Sequence, residues 1–170
     1  MHDARWTDLA NVLIDHSTRL ERGEHILIEA FDAPPEMVVE LVRAARKSGG
    51  HPHVALREGK VMRALQQDAA DDQLKTWADG DLHRMKNMDA YVGLRGSYNI
   101  SETSDVAQDQ IQNFGRLYAK PVHFDQRVNH TRWVVLRWPT SSMAQLTTMS
   151  TEQFERFYCD VCTLDYHKME

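Results

Sequence analysis

The sequence predicts a layered α/β domain with a mostly parallel β-sheet flanked by helices. Two observations carry that prediction. Buried apolar runs are centred on Ile26, Val54, Tyr91 and Val134, and the first, His25–Ala30, is too continuous for a half-exposed strand and suits one buried on both faces. Between them lie segments whose apolar residues recur at three and four, the spacing of a helix face.

Trp6, Leu9, Ala10, Leu13, Ser17 and Leu20 form the first helical stripe, ended by Gly23. His25–Ala30 reads as the first strand. Asp32 and the pair Pro34-Pro35 then open a helix, because proline suits a first helical turn. Met37, Val38, Leu41, Val42 and Ala45 form its buried face, and Gly49-Gly50 stops it. His53–Arg57 is the second strand, so residues 25–57 compose a parallel βαβ unit. Lys60–Gln67 and Asp72–Met88 read as helices, the second weakened by Gly80. Ala90–Leu94 is the third strand, and Arg95–Ser104 is a loop. Ala107–Tyr118 returns to helical spacing, and the stretch holding His123 and His130 reads as loop. Trp133–Leu136 is the fourth strand, closed by Trp138-Pro139. Ser142–Thr147 gives one or two helical turns, and Ser150 with Gln153 caps a last helix bearing Phe154, Phe157, Tyr158, Val161 and Cys162.

With 170 residues the chain is comfortable as one domain and can bury a core without disulfides. Its formal charge of −5 argues against nucleic acid as main partner, since phosphate binding needs surplus Lys and Arg. No apolar run reaches the ~18 residues of a membrane span. The start, MHDARW, lacks the basic and apolar regions of a signal peptide. Two cysteines make no disulfide framework, so the expected compartment is the cytoplasm.

Several residues invite chemistry. Cys159-x-x-Cys162 matches half of a zinc site, but no second CxxC follows and His167 alone does not complete four ligands. Mid-helix, the pair reads as core cysteines. His51-Pro52-His53 places two imidazoles on one side of an extended segment, with no third ligand nearby in sequence; it reads as a turn leading into the strand. Asp71-Asp72 and Asp79-x-Asp81 read as solvated helix caps. His16, His83, His123 and His130 are scattered singles, with no HExxH pair to gather them. The glycine loops GxGxxG and GxxxxGK[ST] are absent, and so is a GxSxG elbow. The stretch Arg95-Gly96-Ser97-Tyr98-Asn99 follows a strand and is the best candidate for a ligand-facing loop, because sheet ligands gather at strand C-terminal ends.

Four segments resemble one family. Gly23-Glu24-His25-Ile26-Leu27-Ile28 is similar to its GE-x-V-L-I strand. Ala45, Gly49 and Pro52 with Val54 resemble its A-x-x-x-G-x-x-P-x-V passage. Trp133, Pro139-Thr140 and Met143-Ala144-Gln145 resemble W-x-x-x-x-x-P-T-x-x-M-A-Q, and Met149-Ser150, Glu152, Phe154, Phe157 and Cys162-x-x-Asp165 resemble M-S-x-E-x-F-x-x-F…C-x-x-D. The last two blocks are the most specific. The family is the M29 metalloaminopeptidases, which remove N-terminal residues from peptides. Tyr166 departs from its usual Trp, Thr148 stands where Gly often precedes Met149, and Lys60–Met88 matches least.

The resemblance implies that residues 1–170 are a single N-terminal α/β domain and that the metal-binding catalytic domain lies outside this chain. It carries no catalytic, cofactor-binding or metal-ligating residue onto these positions. Zinc, cobalt or magnesium is implied for the full-length family. The implied partners are the C-terminal catalytic domain, a peptide substrate and a second copy in a homodimer, with the last helix around Phe154, Phe157 and Tyr158 as the suspected contact. A free-standing α/β binding module, or the same domain of a related ring-cleaving dioxygenase, are the alternative readings.

Overall fold

The computed structural model describes residues 4–164. Helix α1 (Ala4–Asn11) runs into a π-helical turn, Val12–Ser17, whose wider winding turns both Leu13 and Ile14 inward. Strand β1 (His25–Phe31), helix α2 (Pro35–Lys47) and strand β2 (His51–Arg57) follow as the expected βαβ unit. Helices α3 (Gly59–Gln66) and α4 (Asp71–Met85) lead to β3 (Ala90–Arg95). Helix α5 (Gln108–Phe114), a π-helical stretch Gly115–Arg127 and α6 (Val128–His130) then form one winding segment before β4 (Arg132–Arg137). Helices α7 (Ser141–Leu146) and α8 (Thr151–Cys162) close the described chain, the latter capped by Ser150, whose hydroxyl accepts from the Gln153 amide at 3.2 Å.

All four strands are parallel, in the order β2-β1-β3-β4. Alternation divides the core in two. Ile26, Ile28, Ala30, Ala90, Val92 and Leu94 point to the layer of α1, α2, Trp138 and α8. Leu27, Ala55 and Tyr91 point to the layer of α4 and the π-helical stretch, against Ala78, Met85, Tyr118 and Val122. β1 is central, and Ile26 through Ala30 are all buried, as its continuous apolar run predicts.

Two expectations need correction. His51-Pro52-His53 is not a turn before the strand but its first three residues, paired with His25, Ile26 and Leu27. Pro52 is tolerated because β2 is an edge strand: the His51 amide donates to Glu24 at 2.7 Å, so the alternate position 52 faces away from β1. The stretch holding His123 and His130 is helical rather than loop. Pro121 there lacks the amide that a regular helix needs, and the π winding absorbs it.

Cys159 is buried and Cys162 half-buried, both as free thiols, in keeping with the core reading. Of the aromatics suspected as a contact, Phe154 is buried and Tyr158 packs on Trp138, whereas Phe157, Val161 and Leu164 are exposed. Asp165, Tyr166 and His167 lie outside the described residues. Among the described residues no helix is long and apolar enough to cross a membrane.

Thr148, the residue that departs from the family's glycine, has φ +57°. A β-branched side chain there costs on the order of 1–3 kcal/mol, while glycine brings back roughly 0.5–1 kcal/mol of chain entropy. Thr148→Gly is expected to raise stability by about 1 kcal/mol in urea unfolding. A neutral or destabilising result would show that its hydroxyl, which donates to the Thr147 carbonyl at 2.7 Å, offsets the strain.

Candidate functional site

The strand order reverses between β1 and β3, since β2 lies on one side of β1 and the chain crosses to the other side for β3. Ligands of open α/β sheets collect at such a point, outside the strand C-terminal ends. A cleft of about 380 Å³ sits there. Phe31 and Asp32 line it from β1, Glu58–Lys60 from the end of β2, and Gly96–Ile100 from the end of β3. The sequence-derived loop Arg95–Asn99 therefore forms one wall.

That wall is held from three sides. The Gly96 amide donates to the Phe31 carbonyl at 2.8 Å, and a Cβ at Gly96 would stand 2.3 Å from the Asp32 carbonyl oxygen, so no side chain fits. Asp32, at φ +43°, accepts the Gly59 amide on Oδ1 at 2.9 Å and so caps α3 from across the cleft. The Thr140 hydroxyl donates to the Ser97 carbonyl at 2.7 Å, and Ser142 donates to the same oxygen. Trp138, Pro139, Thr140 and Ala144 are buried, so the Pro-Thr-x-x-Met-Ala stretch acts as a brace for this loop.

Behind the cleft lies a buried polar network that sequence reasoning missed. Glu29, in the middle of β1, is 2% exposed. Its carboxylate accepts from the Tyr91 hydroxyl at 2.6 Å, from Arg95 at 3.0 Å and from Arg57 at 3.4 Å. Arg95 also donates to the Tyr91 hydroxyl and lies over the Phe31 ring at 4.3 Å. Arg57 reaches on to Asp81 of α4 at 2.6 Å, and Asp81 also accepts from Tyr118 at 2.6 Å and Arg84 at 2.8 Å. Asp81 is thus a network member rather than a solvated cap. Asp71 and Asp72 do lie in the first turn of α4, as expected.

Burial by itself would raise the pKa of Glu29, but Arg95, the Tyr91 hydrogen bond and Arg57 outweigh it and hold the carboxyl below its usual range. Burial also dominates at His123, whose pKa falls to about 4 despite the attraction of Glu29. Its Nδ1 is buried without a partner among the described residues. His123 is therefore neutral at pH 7, and the arginines carry the charge balance of Glu29. The phenols of Tyr91 and Tyr118 are pushed up, by burial first and then by Glu29 and Asp81 respectively, so both keep their protons and donate them to those carboxylates while accepting from Arg95 and Arg57.

The other candidates do not gather into a site. His16, His83 and His130 lie on three different elements, the π turn after α1, α4 and α6. His53 does meet His25, its Nε2 lying 2.9 Å from the His25 Nδ1, and His51 lies beside His25 with ring centres 5.0 Å apart, at the opposite end of the sheet from the cleft. Among the described residues no three His, Cys, Asp or Glu side chains form a metal-ligand set. The buried carboxylates Glu29 and Asp81 are already bound by arginines, so this donor chemistry does not fit a metal ion. The signal for the network was present in the sequence: a lone Glu inside an apolar strand, with Arg57 and Arg95 at the ends of two others.

The chain matches the family model described as thermophilic metalloprotease (M29) over residues 2–168. Among proteins of curated function none matches. Wild-type AmpT from Thermus thermophilus is similar in fold, with a TM-score of 0.71 at 14% identity, over 94% of this chain and 43% of that one. The chain thus spans less than half the length of that structure.

Glu29→Gln leaves Arg95 without its buried charge partner, and Arg57 with Asp81 alone, and is expected to cost about 3 kcal/mol, measured by denaturant unfolding. Acid should act in two steps. The unfolded state takes up a proton at His123 near pH 6.5 and the folded state only near 4, so stability falls as pH drops through that window. Glu29, with its pKa depressed, contributes stability above about pH 4.5 that is lost on further acidification. His123→Phe should flatten the first step and leave the second; an unchanged slope between pH 6.5 and 4 would assign that step elsewhere.

Proposed function

Because the chain belongs to the thermophilic metalloprotease (M29) family, we propose that it is the N-terminal domain of a cytoplasmic metal-dependent aminopeptidase, removing N-terminal residues from peptides. The family match across residues 2–168 is the observation that carries this reading. In it, the catalytic metal ions, zinc, cobalt or magnesium, are held by a C-terminal domain. This domain is non-catalytic by itself and shapes the substrate chamber or the homodimer.

The cleft at the β1/β3 crossing supports a chamber-forming role. Its walls combine backbone amides and carboxylates with the apolar Phe31, Tyr98 and Ile100, a surface suited to an extended peptide rather than to a nucleotide phosphate. Two-metal hydrolysis needs ions roughly 3.5–4 Å apart, each with several converging ligands. The buried acids of this chain are committed to arginines, so no step is assigned to them. The exposed outer face of α8, with Phe157 and Val161, supports a contact with a further domain or copy.

The test has two parts. The 170-residue chain, supplied with zinc, cobalt or magnesium, is expected to release nothing from an aminoacyl anilide, whereas the coding sequence beyond Glu170 is expected to continue into a half rich in Glu, His and Asp. Metal-dependent turnover that follows the short chain through a column, or a natural stop at Glu170, would overturn the proposal.

A further inference from the structure

We propose that the free edge of β4 receives an acidic β-strand from the C-terminal domain, with Arg127 as the cation that this strand neutralises; the identity of the donor rests on the function proposed above, while the surface itself rests on the observations here.

The sheet has two edges, and they are built differently. At β2, Pro52 interrupts the outward row of donors. At β4 nothing does. The Arg132 amide donates to Asp89 and the Trp138 amide to Arg95, so the even positions face β3 and the amides of Trp133, Val135 and Arg137 point outward. No backbone partner for them exists among the described residues. The side chains are apolar as well as open: Trp133 is 43% and Val135 38% exposed. An unblocked, apolar edge strand is a template for another strand.

Arg127 defines the chemistry of the partner. It is 8% exposed, and its guanidinium lies over the rings of Tyr91 and Trp133 at 4.9 and 4.7 Å. Nε and Nη1 are buried with no hydrogen-bond partner among the described residues. Among the described residues no carboxylate forms an ion pair with it. A buried, unpaired guanidinium is costly, and a carboxylate delivered past Trp133 removes that cost. A second copy of the chain does not supply one. It would bring Arg127 and Arg137 of both copies to the same seam, where facing like charges oppose pairing. More than half of the AmpT chain lies outside the matched region, which leaves ample polypeptide to donate a strand.

The experiment compares the 170-residue chain with the protein that includes its continuation, by residue-resolved hydrogen exchange and urea unfolding. The amides of Trp133, Val135 and Arg137 should exchange at least tenfold more slowly in the longer protein, while that of Val134 changes little. Arg127→Met should leave the short chain as stable or more so, yet abolish the added protection in the longer protein. Equal exchange in both proteins, or Arg127→Met weakening the short chain as much as the long one, would overturn the proposal. So would concentration-dependent protection in the short chain, which would make the occupant a second copy. Metal-dependent aminopeptidase activity of the longer protein is scored separately: activity without edge protection refutes this inference alone, and edge protection without activity refutes the function alone.

Discussion

One buried carboxylate organises this domain. Glu29 sits where an apolar residue would be the default, in the central strand of a parallel sheet, with its charge removed from water. Such a group is tolerated only if its lone pairs are filled and its charge balanced. Tyr91 and Arg95 do so from β3 and Arg57 from β2, so three strands are fixed in register by one side chain. Arg57 then passes the constraint to Asp81 on α4, and Asp81 to Tyr118 on the π-helical stretch. Gly93 belongs to the same arrangement: a Cβ there would press within 3.0 Å of the Tyr91 ring that must cross it.

The cleft inherits its shape from this network. Arg95 ends β3 with its guanidinium held by Glu29 and stacked on Phe31, so the chain leaves the strand at Gly96 in a fixed direction. Close packing against Asp32 and the two hydroxyl bonds to Ser97 then set the wall. The same arginine therefore couples the interior of the sheet to the rim where a ligand or another domain would meet it.

The unevenness of the two sheet edges follows from the layers. Helices α1, α2 and α8 cover one face broadly, whereas α4 and the π-helical stretch cover the other only as far as β3. Trp133 and Val135 fall beyond that cover, with Arg127 beneath. A domain that stood alone would gain from polar residues on this rim. The exposed Trp133 and Val135 between Arg132 and Arg137 are the physical reason for looking outside the described residues for what completes it.

The parallel α/β architecture, the βαβ opening, the four strands and the loop after β3 were legible in the sequence, because apolar runs and helix periodicity are local patterns that one-dimensional spacing records. The runs at Val54 and Val134, expected to be buried, instead form edge strands that stay largely exposed, because strand order alone decides which strands lie at the rim. Motif residues such as Pro139, Thr140 and Ala144 were equally visible, and with them the family. The roles of Glu29, Asp81 and Arg127 were not, since each depends on partners 3 to 66 positions away or on the lack of any. Charge pairing across strands is decided by register and by strand order, and these are set only when the chain closes on itself. Tertiary structure likewise carried the winding helix through Pro121, where packing of Tyr118 and Val122 on the sheet outweighs a local preference for loop.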